Sequence, residues 1–359
     1  MIEVDGSIGE GGGQVVRTGI ALSTLLKKSI HIYNIRVKRS PPGFRAQHLT
    51  GVKAVATLSN ARVEGLEIGS RELTFEPRSS TPSGTFVFDV GTAGSISLVL
   101  QALMPAAAFA QGPIYFDLTG GTDVRWSPLI DYVRFVVLPT LTKMNYKVEL
   151  TVRQRGHYPK GGGRVTMSVQ PCYRLNLISL LEFGEILWIC GLSHCVKLPQ
   201  HVAVRQANAA TSGLNKAGYN DVKIDTEWYP QGRDPHLGPG SGIVVYAKTS
   251  SDAILGGDAL GERGKPAEKV GEEAAQKLLA AIGSGAPVDK HLGDILIPYM
   301  AVAEGRSEIV VSEVTLHLLT NVQVTEIIAG VNFKIQGELG KTGTISVDGL
   351  GLVNPSVVR

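Results

Sequence analysis

The chain has 359 residues, 43% hydrophobic and 19% charged, with a formal net charge of +3. That length allows roughly two or three domains around a large core. The small net charge excludes a polycation that coats nucleic acid indiscriminately, so any strong positive field must be local.

Read in chain order, the first stretch is the most unusual. Between Glu10 and Glu64 there is no carboxylate side chain, yet Arg17, Lys27, Lys28, Arg36, Lys38, Arg39, Arg45, Lys53 and Arg62 fall within it. It opens on the glycine cluster Gly9-Glu10-Gly11-Gly12-Gly13. Glycine lets backbone N–H groups approach phosphate oxygens, and guanidinium forks bind phosphate with two bonds. Lys27 and Lys28 read as solvated charges at a helix end.

Residues 2–5 are expected as a strand, Val15 to Leu26 as a helix, Ile30 to Val37 as a strand and Phe44 to Leu58 as a second helix. Arg62–Val63 and Leu73–Phe75 follow as short strands. The order then repeats: strand Thr85–Val90, glycine loop Gly91–Gly94, helix Ser95–Ala108, strand Ile114–Leu118, helix Ser127–Met144, and strands Lys147–Val152 and Arg164–Val169. This is a βαβαββ unit present twice. A third copy is expected from an opening strand before about residue 183 and from later elements: helix His291–Glu304, strand Glu308–Val311, helix Thr315–Ala329, and strands Asn332–Gln336 and Thr344–Val347. The fold class is therefore α+β, with residues 1–181 and 287–359 as the repeated core and 182–286 as an inserted α/β domain. Within the insertion, Val204–Lys216 and Ala267–Ala281 read as helices and Gln231–Gly242 as a loop.

Cys172, Cys190 and Cys195 are too few and too irregular for a disulfide framework. Cys190, Cys195 and His194 form only part of a metal-ligand set, and buried free thiols are expected. The longest apolar run, Leu98 to Ala110, is broken by Gln101 and Pro105 and is too short to span a bilayer. With no apolar targeting region at the N-terminus, a cytoplasmic protein without membrane contact is expected.

Common nucleotide signatures are missing. Gly337-Glu338-Leu339-Gly340-Lys341-Thr342 ends like a phosphate loop, but Ile335 takes the required first glycine position, and the segment lies between two strands. A hairpin turn is expected there. The cluster at 9–13 lacks the spaced dinucleotide fingerprint, and there is neither a Lys-x-Asp-Gly nucleophile motif nor a Gly-x-Ser-x-Gly elbow. Among eight histidines, His317 stands in Ser312-Glu313-Val314-Thr315-Leu316-His317-Leu318-Leu319-Thr320-Asn321, flanked by hydrophobes with polar groups one turn away. An oriented, neutral imidazole there can act as nucleophile or base. On local sequence alone, a buried structural histidine is the commoner outcome.

Several segments together resemble the RNA 3′-terminal phosphate cyclase family. They are Asp5 through Arg17, Arg36-Val37-Lys38-Arg39 with Gly43-Phe44-Arg45-Ala46-Gln47-His48-Leu49, Gly91-Thr92-Ala93-Gly94-Ser95, Gly120-Gly121-Thr122-Asp123, Tyr158-Pro159-Lys160-Gly161-Gly162-Gly163, His291-Leu292-Gly293-Asp294 and His317 through Asn321. Order and spacing hold over nearly the whole chain, with the insertion least alike. The resemblance implies three βαβαββ units related to enolpyruvyl transferases, plus a smaller inserted α/β domain.

It also implies an ATP-dependent reaction at an RNA 3′-phosphate, through a histidine–AMP intermediate and an RNA 3′-adenylate, that ends in a 2′,3′-cyclic phosphate. By the same resemblance His317 is the nucleophile. Arg17, Arg36, Arg39 and Gln47 bind RNA or nucleotide phosphates, and Glu10 helps hold a divalent metal, Mg²⁺ or Mn²⁺. Gln101, Pro128, His291, Leu292, Gly293, Asp294 and Ile295 belong to the ATP site, with His291 where other members carry tyrosine. Cyclase-like proteins of ribosome biogenesis are non-catalytic members of this fold that lack the nucleophilic histidine. The presence of His317 with Glu10, Arg17, Arg36 and Arg39 favours the enzyme. An enolpyruvyl transferase shares the repeat fold and an anion site but does not account for the His317 motif.

Overall fold

The computed structural model describes residues 1–91 and 93–358. Thr92, within the expected glycine loop Gly91–Gly94, lies outside the described residues. Three four-stranded mixed sheets share one topology. In the first unit, Ile2–Asp5 runs parallel to Ile30–Tyr33, which pairs antiparallel with Leu73–Glu76, and Arg62–Glu64 closes the far edge. The second unit repeats this order with Gly84–Asp89, Ile114–Gly120, Gly163–Gln170 and Lys147–Gln154. The third does so with Ser179–Leu180, Arg306–Val311, Gly343–Asp348 and Phe333–Gln336. Gly337 (φ +146°) and Gly340 (φ +80°) lie in the hairpin between the last two strands in sequence, as expected for that segment.

The helix Gly13–Leu26 is buried around most of its circumference, including Val15, Val16, Ile20 and Leu22. A helix apolar on nearly all sides needs neighbours on all sides, and this one packs against Ala46–Ser59, Ile96–Ala107 and Leu316–Ala329, helices from all three units. Gly19 permits a close approach to the first sheet, since a Cβ there would lie 3.1 Å from Ile32 Cδ1. The helix ends at Lys27, in the left-handed region at φ +53°, whose N–H donates to Ser23 O.

Between the opening strand and first helix of the third unit lies a fourth sheet. Its spatial order is Val222–Glu227, Ile186–Val196, Gly240–Thr249, Ile254–Leu260. Helices His201–Lys216 and Ala267–Gly283 pack on it and on each other, around a separate apolar cluster that includes Ile189, Leu214, Ile243 and Leu278.

Local boundaries differ from the sequence expectation where the backbone turns. The second strand stops at Tyr33 because Asn34 (φ +55°) and Arg36 (φ +53°) leave the extended region. The helix expected from Ser127 begins at Ile130, and its middle turn, Val133–Val137, is a π-turn. The glycine-rich segment 231–242 is a loop only as far as Gly240, which opens a strand.

The second unit and the inserted sheet are joined by a buried guanidinium. Arg155, 1% exposed, donates to Glu227 Oε1 at 2.9 Å and Oε2 at 2.8 Å, and to Asp123 Oδ2 at 3.3 Å. It is also ion-paired with Asp131 at 2.7 Å. Burial pushes the Asp123 and Asp131 carboxyls upward, against the pull of Arg155. Removing one partner of a buried pair costs about 3–5 kcal/mol because it strands the others. Arg155→Met is therefore expected to lower unfolding stability by about that amount in chemical denaturation; a loss below about 1 kcal/mol would assign the group no structural weight.

Candidate active site

The glycine loop lies directly against the helix that carries His317. Gly9 (φ +55°) and Gly11 (φ +61°) occupy the left-handed region, and a Cβ on Gly9 would sit 2.1 Å from Thr320 Oγ1. Glu10 N–H donates to that oxygen at 3.2 Å, and the Thr320 hydroxyl donates to Leu316 O at 2.6 Å. Thr315 caps the helix Leu316–Ala329 by accepting from Leu318 N–H at 3.0 Å. His317 therefore falls in the first turn, where the helix dipole favours an anion. Gly12 caps the helix Gly13–Leu26 without a side-chain acceptor, so a second helix N-terminus opens beside the same loop.

His317 is not buried: its side chain is 54% exposed. Its Nδ1 is hydrogen-bonded to Gln14 Oε1, and its Nε2 lies 2.8 Å from Glu10 Oε2. Gln14 is fixed at its other end, donating from Nε2 to Asp294 Oδ1 at 2.6 Å and to His317 O at 3.2 Å. Asn321 donates to the same Asp294 oxygen at 2.5 Å and to Asp294 O at 2.9 Å, and Thr18 donates to Asn321 Oδ1 at 2.5 Å. With the amide nitrogen of Gln14 committed in this way, its oxygen faces Nδ1. Acceptor oxygens thus face both ring nitrogens, and a neutral imidazole that keeps its proton on Nδ1 presents the Nε2 lone pair once Glu10 turns away. Burial raises the Asp294 carboxyl to about 6, although His317, Gln14, Arg17 and Asn321 pull it down.

The cations surround this network. Arg17 is half-buried, and burial lowers its guanidinium to about 10 while Asp294 and Glu10 hold it charged. Arg39 is ion-paired with the second oxygen of Glu10. Lys38 donates to Ser7 O at 2.8 Å, clamping the glycine loop from outside. Arg36 donates to Gly43 O at 2.9 Å and shapes the following turn. His48 reports the field: burial, then Arg17, Arg36 and Arg45, push its imidazole down to about 3.

Of the expected nucleotide residues, Gln101, Asp294 and Ile295 line one cavity together with Gln14, Arg17 and Tyr299. Pro128, His291, Leu292 and Gly293 do not line it. Leu292 is fully buried, and a Cβ on Gly293 would meet Val311 at 2.6 Å, so both pack the core. His291 is exposed and edge-on to Tyr132, with ring centroids 6.2 Å apart, and Pro128 O accepts from Ser97 Oγ at 2.7 Å. Gln47 is exposed and lines a neighbouring pocket with Arg17 and His48.

Sequence reasoning missed Gln14, Thr18 and Asn321 as working residues. Their signal is the i, i+4 spacing of Gln14 with Thr18 and of His317 with Asn321, which places each pair on one helix face. It also misjudged Lys28, which donates to Ile328 O at 2.8 Å and so ties together the ends of two helices. The cysteines are free thiols, as expected. His194 instead approaches Asp123 and His157, with ligand atoms within 4.8 Å of one another. Arg155 is the cation that Asp123 already holds.

A family model described as RNA 3′-terminal phosphate cyclase matches residues 8–335. The chain is 52% identical over 351 residues to a protein of Ignicoccus hospitalis named RNA 3′-terminal phosphate cyclase, covering 98% of this chain and 99% of that one. Proteins of the same name match at 52% from Hyperthermus butylicus (98% of each chain) and at 51% from Thermococcus sibiricus (97% and 98%). A crystal structure of the enolpyruvyl transferase NikO from Streptomyces tendae shows a faint likeness (18% identity, 48% of this chain and 33% of that one, TM-score 0.29), too slight to add to these matches.

The contact at Gly9 is testable by itself. Gly9→Ala is expected to cost about 1–3 kcal/mol from overpacking plus roughly 1 kcal/mol from the left-handed backbone. In a Thr320→Ala background most of the overpacking should vanish. Equal penalties in the two backgrounds, measured by chemical denaturation, would contradict the contact.

Proposed function

Because the chain belongs to the RNA 3′-terminal phosphate cyclase family, we propose that it cyclises RNA 3′-phosphates through AMP carried on His317. The observation that supports this most directly is the hydrogen bond between Nδ1 and Gln14 Oε1, which leaves Nε2, now facing Glu10, as the ring nitrogen that can attack. In the first step Nε2 attacks the α-phosphorus of ATP, the N–P bond forms and pyrophosphate leaves with the electron pair. The Nδ1 proton stays on the ring, and the positive charge that develops there is spread toward Gln14 Oε1 and, behind it, Asp294. In the second step an oxygen of the RNA 3′-phosphate attacks the same phosphorus and the N–P bond breaks. A phosphate monoester dianion has no good leaving group of its own, and adenylation supplies AMP as one. The neighbouring 2′-OH then attacks the 3′-phosphorus, loses its proton to solvent and releases AMP.

The assignment distributes the remaining residues. Gln101, Asp294 and Ile295 hold the nucleotide in the cavity beside Gln14, while Pro128 and His291–Gly293 shape its margin. Arg17, Arg36, Arg39 and Gln47 serve the phosphates of ATP and RNA, as positioning and charge neutralisation dominate phosphoryl transfer. Glu10 Oε2 is buried and faces His317 Nε2 at 2.8 Å, and a carboxylate oxygen beside the reacting atom suits Mg²⁺ or Mn²⁺. A metal ion held by Glu10 would neutralise phosphate charge and draw Glu10 away from Nε2. Residues 1–181 and 287–359 act as the catalytic core under this reading, with 182–286 inserted. A non-catalytic scaffold has no use for an exposed histidine fixed by a four-residue network.

The test is incubation with α-labelled ATP and Mg²⁺ or Mn²⁺. Wild type should become labelled through a bond labile to acid and stable to alkali, as a phosphoramidate is. His317→Ala should fold normally and lose labelling by orders of magnitude; a labelled His317→Ala protein would place the nucleophile elsewhere.

The cations should separate as well. Arg39→Ala should reduce cyclisation at least about tenfold, and Arg39→Lys should not restore it fully, because an ammonium cannot reproduce the fork. Lys27→Ala should leave the rate within about twofold. Equal, mild effects at both positions would point to a merely solvated basic face.

A further inference from the structure

A cleft of about 1600 Å³ opens between the core and the inserted domain. Its walls hold Arg45 and Gln47 from the first unit, Trp126 and Tyr158 from the second, and Arg263 from the insertion. Trp126 is 92% exposed and sits at φ +60°; Tyr158 is 78% exposed. An indole in the left-handed region is strained, and one so exposed returns no burial to the fold. Two large aromatic faces kept in water beside cations are what unstacked bases bind, since every base offers a π-face. Arg125 and Arg205 are already held by Glu262 and Glu268. Arg45 and Arg263 have no carboxylate within ion-pair distance among the described residues and are available to a phosphate backbone.

The cleft adjoins the pocket that holds Arg17. Gln47, Ser95 and Leu98 line both the cleft and the pocket that reaches Gly13, Arg17 and His48. Arg17 in turn lines the cavity of Gln14 and Asp294. A strand lying in the cleft can therefore deliver its terminal phosphate past Gln47 toward Arg17. A duplex would hide its base faces from both aromatics, so the fit is to a single strand.

We infer that this cleft is the track for the unpaired RNA segment preceding the 3′-phosphate, with Trp126 and Tyr158 as stacking platforms and the inserted domain as the far wall. The inference rests on the cyclase reading and gives the insertion a task within it. Readout is sequence-tolerant, because stacking and phosphate contacts do not distinguish base edges.

The experiment compares a 3′-phosphorylated uridine decamer with a 3′-phosphorylated dinucleotide, in wild type, Trp126→Ala and Tyr158→Ala. Each substitution should raise KM for the decamer about 5- to 100-fold. It should leave kcat, self-adenylation and the dinucleotide KM within about twofold, and Trp126→Phe should recover most of the loss. Decamer KM values unchanged in both alanine variants, or a loss equal for decamer and dinucleotide, would overturn the inference. Fluorescence anisotropy of the labelled decamer without ATP separates the two readings. If wild type neither labels nor cyclises yet binds the decamer through Trp126, the track stands and the cyclase reading falls. If wild type cyclises and its binding ignores both aromatics, the track falls alone.

Discussion

A single amide, that of Gln14, holds the site together across the first and third repeats. Its oxygen meets His317 Nδ1 and its nitrogen meets Asp294. Asp294 is itself fixed by Asn321, and Asn321 by Thr18 one turn below Gln14. The chain of bonds thus leaves the helix Gly13–Leu26, crosses to the third unit and returns. An imidazole on an exposed first turn has two tautomers and free rotation about its side-chain bonds. Here Gln14 Oε1 at Nδ1 and Glu10 at Nε2 fix the ring, and the network behind Gln14 favours the Nδ1 proton when Glu10 is drawn away.

This arrangement explains why one helix is enclosed by all three units. A helix buried on nearly every side is a rigid mount, and packing against Ile96–Ala107 and Leu316–Ala329 sets the spacing of the groups it carries. Gln14 and Arg17 come from the first unit, Gln101 from the second, and Asp294, His317 and Asn321 from the third. No unit holds a working set. The repeats place three equivalent helix layers together, and different residues on each complete one cavity.

Much of the architecture was legible in the chain itself because the hydrophobic period switches between strand and helix in the same order each time. The third unit could be read although its opening strand, Ser179–Leu180, lies far from the elements that follow. The strands of the insertion were not legible. Ile254–Leu260 contains Gly256 and Gly257, poor strand formers, kept free of side chains because a Cβ would strike Tyr132 at 2.7 Å and Ala274 O at 2.4 Å. At the site, the glycine cluster and the cation run pointed to anions, whereas Gln14 was silent: a glutamine on an apolar helix has meaning only once a partner 303 residues away is beside it. His317 was misjudged as buried on local grounds because of its hydrophobic neighbours, of which Leu318 is buried but Leu316 is 48% exposed, while its own side chain reaches Glu10 of the glycine loop.

The tautomer of His317 is the point on which the chemistry turns, and site-resolved ¹⁵N NMR of the imidazole reads it directly. With histidine-labelled protein at a pH where the ring is neutral, the proton should reside on Nδ1, and Gln14→Ala should shift the population toward the other nitrogen. A wild-type ring protonated on Nε2, or one indifferent to Gln14, would contradict the account.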